Sequence, residues 1–194
     1  WCLQQNVVSD GINHFMELSL DILNTCVNKA VMYDSIMDRD KVMDIISQFR
    51  NDKEKFLVMM LFETGNNMEN VYQAKLSDFD GDKMHLNDGR TVTVSRDLQR
   101  FARGAAEADV WETYVLEPYR PGNQYVKLAD SGRIYRESER VKDTNNKRLR
   151  RQRMNKFMRK AMDWSGTMKW IKVNYFAESG FIYDLKLKAD ELTS

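Results

Sequence analysis

LFETGNNMENVYQAKLSDFDGDKMHLNDGRTVTVS, residues 61 to 95, carries several changes of local structure in one stretch. It opens on the end of an apolar helical pattern that Gly65 terminates, and a short helix is predicted over 68–75. Leu76 to Phe79 offers a strand, and two more are predicted at Met84 with Leu86 and at Thr91-Val92-Thr93-Val94. Asn87-Asp88-Gly89-Arg90 joins the last two. Its Asp-Gly pair tolerates the left-handed backbone that a tight hairpin demands, so a hairpin is expected there. Ser95 is placed to cap the helix that follows, over 96–108. This order of helices interrupted by a hairpin predicts a mainly α protein with a small antiparallel β-sheet, an α+β fold.

Toward the N-terminus, a helix over 53–63 carries Phe56, Leu57, Met60, Leu61 and Phe62, with Asn51 or Asp52 as its cap. A helix over 39–49 before it turns Val42, Met43, Ile45, Ile46 and Phe49 inward. Asp34-Ser35 breaks the periodicity and reads as a linker. Ahead of it, Val8 to Met32 follows a helical period. Residues 1–33 are therefore read as the last helix of an N-terminal domain plus linker, and residues 34–194 as the main domain. The chain begins on Trp1, and it is expected to start inside a longer one. Toward the C-terminus, 114–126 reads as loop, with a short strand near 124–128 and a mobile basic loop over 132–143. Helices are expected over 145–164 and over 168–179, the latter closed by Gly180, with one more helical piece after it.

At 194 residues, 42% hydrophobic and 30% charged, the chain has the make-up of a soluble protein with one main core. The longest strongly apolar run, Phe56 to Phe62, is far too short to span a bilayer, so no membrane association is expected. Cys2 and Cys26 lack a CxxC spacing and read as reduced packing residues of a cytoplasmic protein. With two histidines, His14 and His85, no metal site or cofactor is expected.

Charge is where the chain departs from the ordinary. Residues 133 to 160 hold twelve basic residues against three acids, a net +9, while the rest of the chain stands at −8 with 18 basic and 26 acidic residues. The helix over 145–164, NNKRLRRQRMNKFMRKAMDW, lies at its centre, capped by Thr144, Asn145 or Asn146. Met154, Phe157, Met158, Ala161 and Trp164 recur at spacings of three and four and seat it on a core. Arg148, Gln152, Asn155 and Arg159 share another face, with Lys156 and Lys160 beside them. A face that mixes cations and amides suits double-stranded DNA: cations release counterions from phosphates, and amides and guanidiniums match base edges.

The stretch 61–95 resembles the start of the catalytic domain of the tyrosine recombinases, the phage-integrase family. There, a helix ends in a Thr-Gly turn, here Thr64-Gly65, and an L-x-x-x-D segment leads into a small sheet with a hairpin. The similarity extends through MKWIKVNYFAESG, residues 168 to 180, which resembles the family's His-x-x-Arg-His helix closed by Glu-Ser-Gly. The resemblance covers about residue 34 to the C-terminus and implies a tyrosine-recombinase-like fold in which the basic helix enters the major groove. It makes residues 1–33 similar to the last helix of a core-binding domain. A closer resemblance is to integrase-fold lysogeny repressors of temperate phages.

The family's chemistry is not matched. Asn67 stands where its first arginine falls, Gly166 and Trp170 where its histidines fall, and Lys169 where its second arginine falls. No lysine lies within the hairpin, where Arg90 and Lys83 are the nearest cations, and no residue of the chain matches the nucleophilic tyrosine. Phosphoryl transfer needs charge-bearing forks on the non-bridging oxygens, and an amide or an ammonium cannot supply the bidentate grip of a guanidinium. The expectation is a DNA-binding protein that has lost catalysis and acts as a phage or prophage transcriptional repressor, cytoplasmic and nucleoid-associated. Arg148, Arg151, Gln152 and Asn155 would reach base edges, while Lys147, Arg150, Arg153, Lys156, Arg159, Arg90, Lys169 and Lys172 would grip phosphates. The reading leaves room for oligomers on DNA and for a regulatory protein or peptide partner. The alternative is an active recombinase whose tyrosine follows residue 194.

Overall fold

The structure is a computed structural model that describes residues 36–65, 67–113, 125–141, 145–164 and 173–193, all within the unit running from Ile36 to Ser194. The helix expected over 8–32, Cys2, Cys26 and His14 lie outside the described residues, as do Gly166, Lys169, Trp170 and Lys172.

Helix α2 (Asp52–Thr64) is the axis of the core. Phe56 to Phe62 forms an unbroken apolar run, and all of it is buried. A helix that is apolar all round must be covered all round. Helices α1 (Arg39–Ser47), α3 (Met68–Gln73), α4 (Arg96–Glu107) and α6 (Asn174–Thr193) all pack against it. Gly65, at φ 58°, stops α2 in the left-handed region. Ser95 caps α4 as its sequence predicts, its Oγ accepting from Leu98 N at 3.2 Å. Asn51 does precede α2, but its side chain is occupied elsewhere. Its amide donates to Glu112 O at 3.0 Å and its Oδ1 accepts from Glu112 N at 2.8 Å.

The hairpin forms at the predicted turn. Strands β1 (Phe79–Asp80), β2 (Lys83–His85) and β3 (Thr91–Thr93) make an antiparallel meander with Met84 opposite Val92. Gly89 takes φ 86° between β2 and β3. The strand expected over 76–79 begins only at Phe79. Leu76–Asp78 winds into a 3-10 turn, which the Asp78 carboxylate stabilises by accepting from Lys75 N at 2.8 Å. A second, two-stranded sheet pairs β4 (Val110–Glu112) with β5 (Tyr125–Lys127), so the strand expected near 124–128 acquires an unforeseen partner.

Two further expectations are corrected. Residues 132–143 were expected to form a mobile loop, yet Ile134, Tyr135, Arg136 and Glu137 are buried. Ile134 N donates to Ala74 O at 3.0 Å, Ala129 N donates to Glu137 O at 2.8 Å, and the Arg136 guanidinium donates to Ala108 O. An Ile-Tyr pair supplies the apolar surface that pins this segment despite its flanking charges. Gly180 does not close a helix either, since α6 runs through it to Thr193. A Cβ at Gly180 would collide with the backbone of Phe62, so the glycine is there to let α6 and α2 approach. Ser179 beside it is buried, its Oγ accepting from Met37 N at 3.2 Å.

Candidate nucleic-acid interface

The basic segment forms helix α5 (Lys147–Trp164). Asn146, one of its predicted caps, accepts from Leu149 N at 3.2 Å through Oδ1. Met154, Met158 and Ala161 are buried as expected, and so is Met162. Phe157 meets Trp111 edge-on, with ring centroids 4.4 Å apart. The side chain of Trp164 lies outside the described set.

Six cations stay outside: Lys147, Arg148, Arg151, Lys156, Arg159 and Lys160 are all exposed, as is Gln152, with Asn155 half-buried. Among the described residues none of the six has a carboxylate within ion-pair distance. They span about 20 Å of helix, so their mutual repulsion is relieved only by solvent, salt or a polyanion.

Arg150 and Arg153 were expected to grip phosphates, and here the geometry corrects the sequence. Arg150 is buried, its Nη2 donating to Glu69 Oε1 at 2.5 Å and its guanidinium lying 4.5 Å from the centroid of the Tyr72 ring. Arg153 holds Glu137 with both arms, Nε to Oε1 at 2.5 Å and Nη2 to Oε2 at 3.0 Å. Tyr72 donates to the same Glu137 through its hydroxyl at 3.4 Å, and burial, then the neighbouring carboxylate, raises its pKa. Arginine can do this because its planar fork meets a carboxylate bidentately and its face stacks on an aromatic ring. Glu69 and Glu137 are the residues that sequence reasoning missed. Glu137 left a trace, being one of only three acids in the +9 segment, whereas nothing in the local sequence marks Glu69. Glu137→Gln keeps the volume and removes the charge that faces Arg153 and Tyr72. With Arg153 about a quarter exposed, the expected loss is about 2 kcal/mol of stability, read from urea unfolding.

Of the other predicted contacts, Arg90 folds back on its own hairpin, donating from Nε and Nη2 to Asp88 Oδ2 at 3.0 and 2.9 Å. Asn67 caps α3, its Oδ1 accepting from Glu69 N at 3.0 Å and Asn70 N at 3.1 Å. It stands beside the basic helix, on a cleft of about 520 Å³ that Lys147, Arg150, Arg151 and Asn174 also line.

Beneath α5 lies a buried charge that fixes its seat. Lys53 is 4% exposed, with Nζ 4.5 Å from the Trp111 ring centroid, 5.0 Å from Phe157 and 5.2 Å from Tyr135. Next to it Glu54, also buried, accepts from Trp111 Nε1 at 2.8 Å. Burial pushes the Lys53 ammonium down to about 8 and the Glu54 carboxyl up. Because unfolded lysine keeps its proton to about pH 10.5, the unfolded chain binds more protons than the folded one between these values. The Lys53 contribution to stability therefore rises with pH from about 8 toward 10.5. Tyr135 opposes it above about pH 10, since its burial keeps it protonated when folded. Lys53→Met is expected to stabilise the protein by roughly 1–2 kcal/mol at pH 7, after allowing for Glu54 losing its neighbouring cation. Urea unfolding at pH 7, 8.5 and 9.5 checks this, the advantage shrinking as pH rises.

Among the described residues no helix is long and apolar enough to cross a membrane, and no group of three or more His, Cys, Asp or Glu side chains is disposed to hold a metal ion. No protein-family model matches the chain, and no curated protein matches it.

Proposed function

We propose that this protein binds double-stranded DNA through the outer face of α5 and acts as a phage or prophage repressor on a recombinase-like body without the cutting groups. The observation that supports this most is the division of labour along α5. Arg150 and Arg153 face carboxylates inside, while Lys147, Arg148, Arg151, Lys156, Arg159 and Lys160 face outward with none within ion-pair distance among the described residues. Gln152 and Asn155 on that side add the amides that base-edge recognition uses. Loss of catalysis is inferred from Asn67, which caps a helix where the family's first arginine would hold a phosphate oxygen.

Gel-shift or anisotropy titration with a labelled duplex tests the binding. Log affinity plotted against log salt is expected to fall with a slope of about −3.5, as expected if Lys147, Lys156, Arg159 and Lys160, the four outer cations not assigned to base edges, meet phosphates. A flat response would refute DNA binding by this face. With the full-length protein, a suicide duplex carrying a nick is expected to leave no covalent adduct, and an adduct would establish the recombinase reading instead.

A further inference from the structure

A second surface lies on α4 and is not part of the α5 face. The helix RDLQRFARGAAE turns Leu98, Phe101, Ala102 and Ala105 into the core and presents Arg96, Gln99 and Arg103, spaced i, i+3 and i+7, on its outer side. These three line a groove of about 590 Å³ whose apolar floor is Leu76, Phe79, Val94 and Ala102. They also line an adjoining cavity on the same helix. Leu76 is 41% exposed.

The arginines of the described residues outside 133–160 are Arg39, Arg50, Arg90, Arg96, Arg100 and Arg103. Arg39 pairs with Glu63 and Asp97, Arg50 with Glu112, Arg90 with Asp88, and Arg100 with Asp97. Among the described residues Arg96 and Arg103 have no carboxylate within ion-pair distance, and both border this groove.

We infer that the groove between α4 and the β1–β2 turn docks a short acidic, apolar segment of a protein partner. The positions of Arg96 and Arg103 are about 10 Å apart along the helix. Two carboxylates four residues apart share one face of an extended chain and lie about 13 Å apart at about 3.3 Å per residue, within reach of both guanidiniums through the length of the arginine side chains. The side chains that alternate with those carboxylates point to the opposite wall and rest on Leu76 and Phe79, and the Gln99 amide offers a donor and an acceptor to the passing backbone. Asp82 and Glu107 on the rim repel a longer run of negative charge. For that reason the groove favours a peptide with two spaced carboxylates over a phosphate backbone, which carries a charge at every step.

The test uses the full chain and a fluorescein-labelled peptide with a Glu-Leu-Ser-Leu-Glu core, followed by anisotropy. Saturable binding in the micromolar range is expected. It should weaken about tenfold or more for the Gln-Leu-Ser-Leu-Gln peptide and for Arg96→Ala with Arg103→Ala. Both substitutions are on exposed positions, and an unchanged thermal melt shows that the variant folds. Leu76→Ser, which keeps the arginines, should also weaken binding. Equal binding of the Glu and Gln peptides, or no binding at millimolar peptide, overturns the inference. So does a duplex-DNA affinity that falls as far for the Arg96/Arg103 variant as for an Arg148/Arg151 variant, because the arginines then serve nucleic acid.

Discussion

Replacing Arg148 and Arg151 together by alanine is expected to weaken the complex with a preferred duplex by about a hundredfold or more, with the protein's melting temperature unchanged. Both side chains are exposed, and neither has a carboxylate within ion-pair distance among the described residues, so their removal leaves no buried partner stranded. A guanidinium on a guanine edge carries about 1–3 kcal/mol of discrimination, and two of them reach the expected factor. The same substitution distinguishes the two kinds of contact. If the arginines read bases, the loss is larger on a duplex selected from a random library than on an arbitrary one. If they grip phosphates, both duplexes lose equally and the salt slope drops by about 2. Full affinity in the double variant would remove α5 from the interface.

Gly180→Ala is expected to be among the most damaging single substitutions in the chain, costing about 4 kcal/mol or preventing folding. The added carbon would fall on the carbonyl of Phe62, and its next neighbours are also backbone atoms of that residue, so no side-chain rotation relieves the clash. Helix α6 would have to lift off α2, exposing Phe176 and the partly buried Tyr183, whose ring centroid lies 5.7 Å from that of Phe62. Gly104→Ala is the control. There the added carbon would meet the Asp52 carboxylate, the free end of a half-buried side chain that can swing away. The gain in helix propensity, about 1 kcal/mol, offsets that rearrangement, and Gly104→Ala is expected to be close to neutral. Chemical denaturation of the two variants side by side checks both values.

Much of the fold was legible because its signals are local. The Ser95 cap, the Gly65 stop, the Asp-Gly turn and the apolar run from Phe56 to Phe62 each depend on a few adjacent residues, and each appears where the sequence places it. What escaped was settled by distant partners. Gly180 reads as a helix stop until Phe62 is known to lie against it. The segment around Ile134 and Tyr135 reads as a basic loop until Ala74 and Ala108 supply its hydrogen-bond acceptors. The candidate site divides in the same way. Helical periodicity correctly set Met154, Met158 and Ala161 against Arg148, Arg151 and Gln152, but it could not separate Arg150 and Arg153 from their neighbours. Their direction was decided by Glu69 and Glu137, which lie on other parts of the chain.

The interleaving of inward and outward arginines on α5 has a consequence for how such a protein can change. Positions 150 and 153 act as bolts, while 148, 151, 152 and 155 sit between and beside them as replaceable teeth. Under the proposed DNA-binding role, substitutions at the teeth would retune target preference without loosening the mount, so new specificities would be accessible by few mutations and at little risk to the body that carries them.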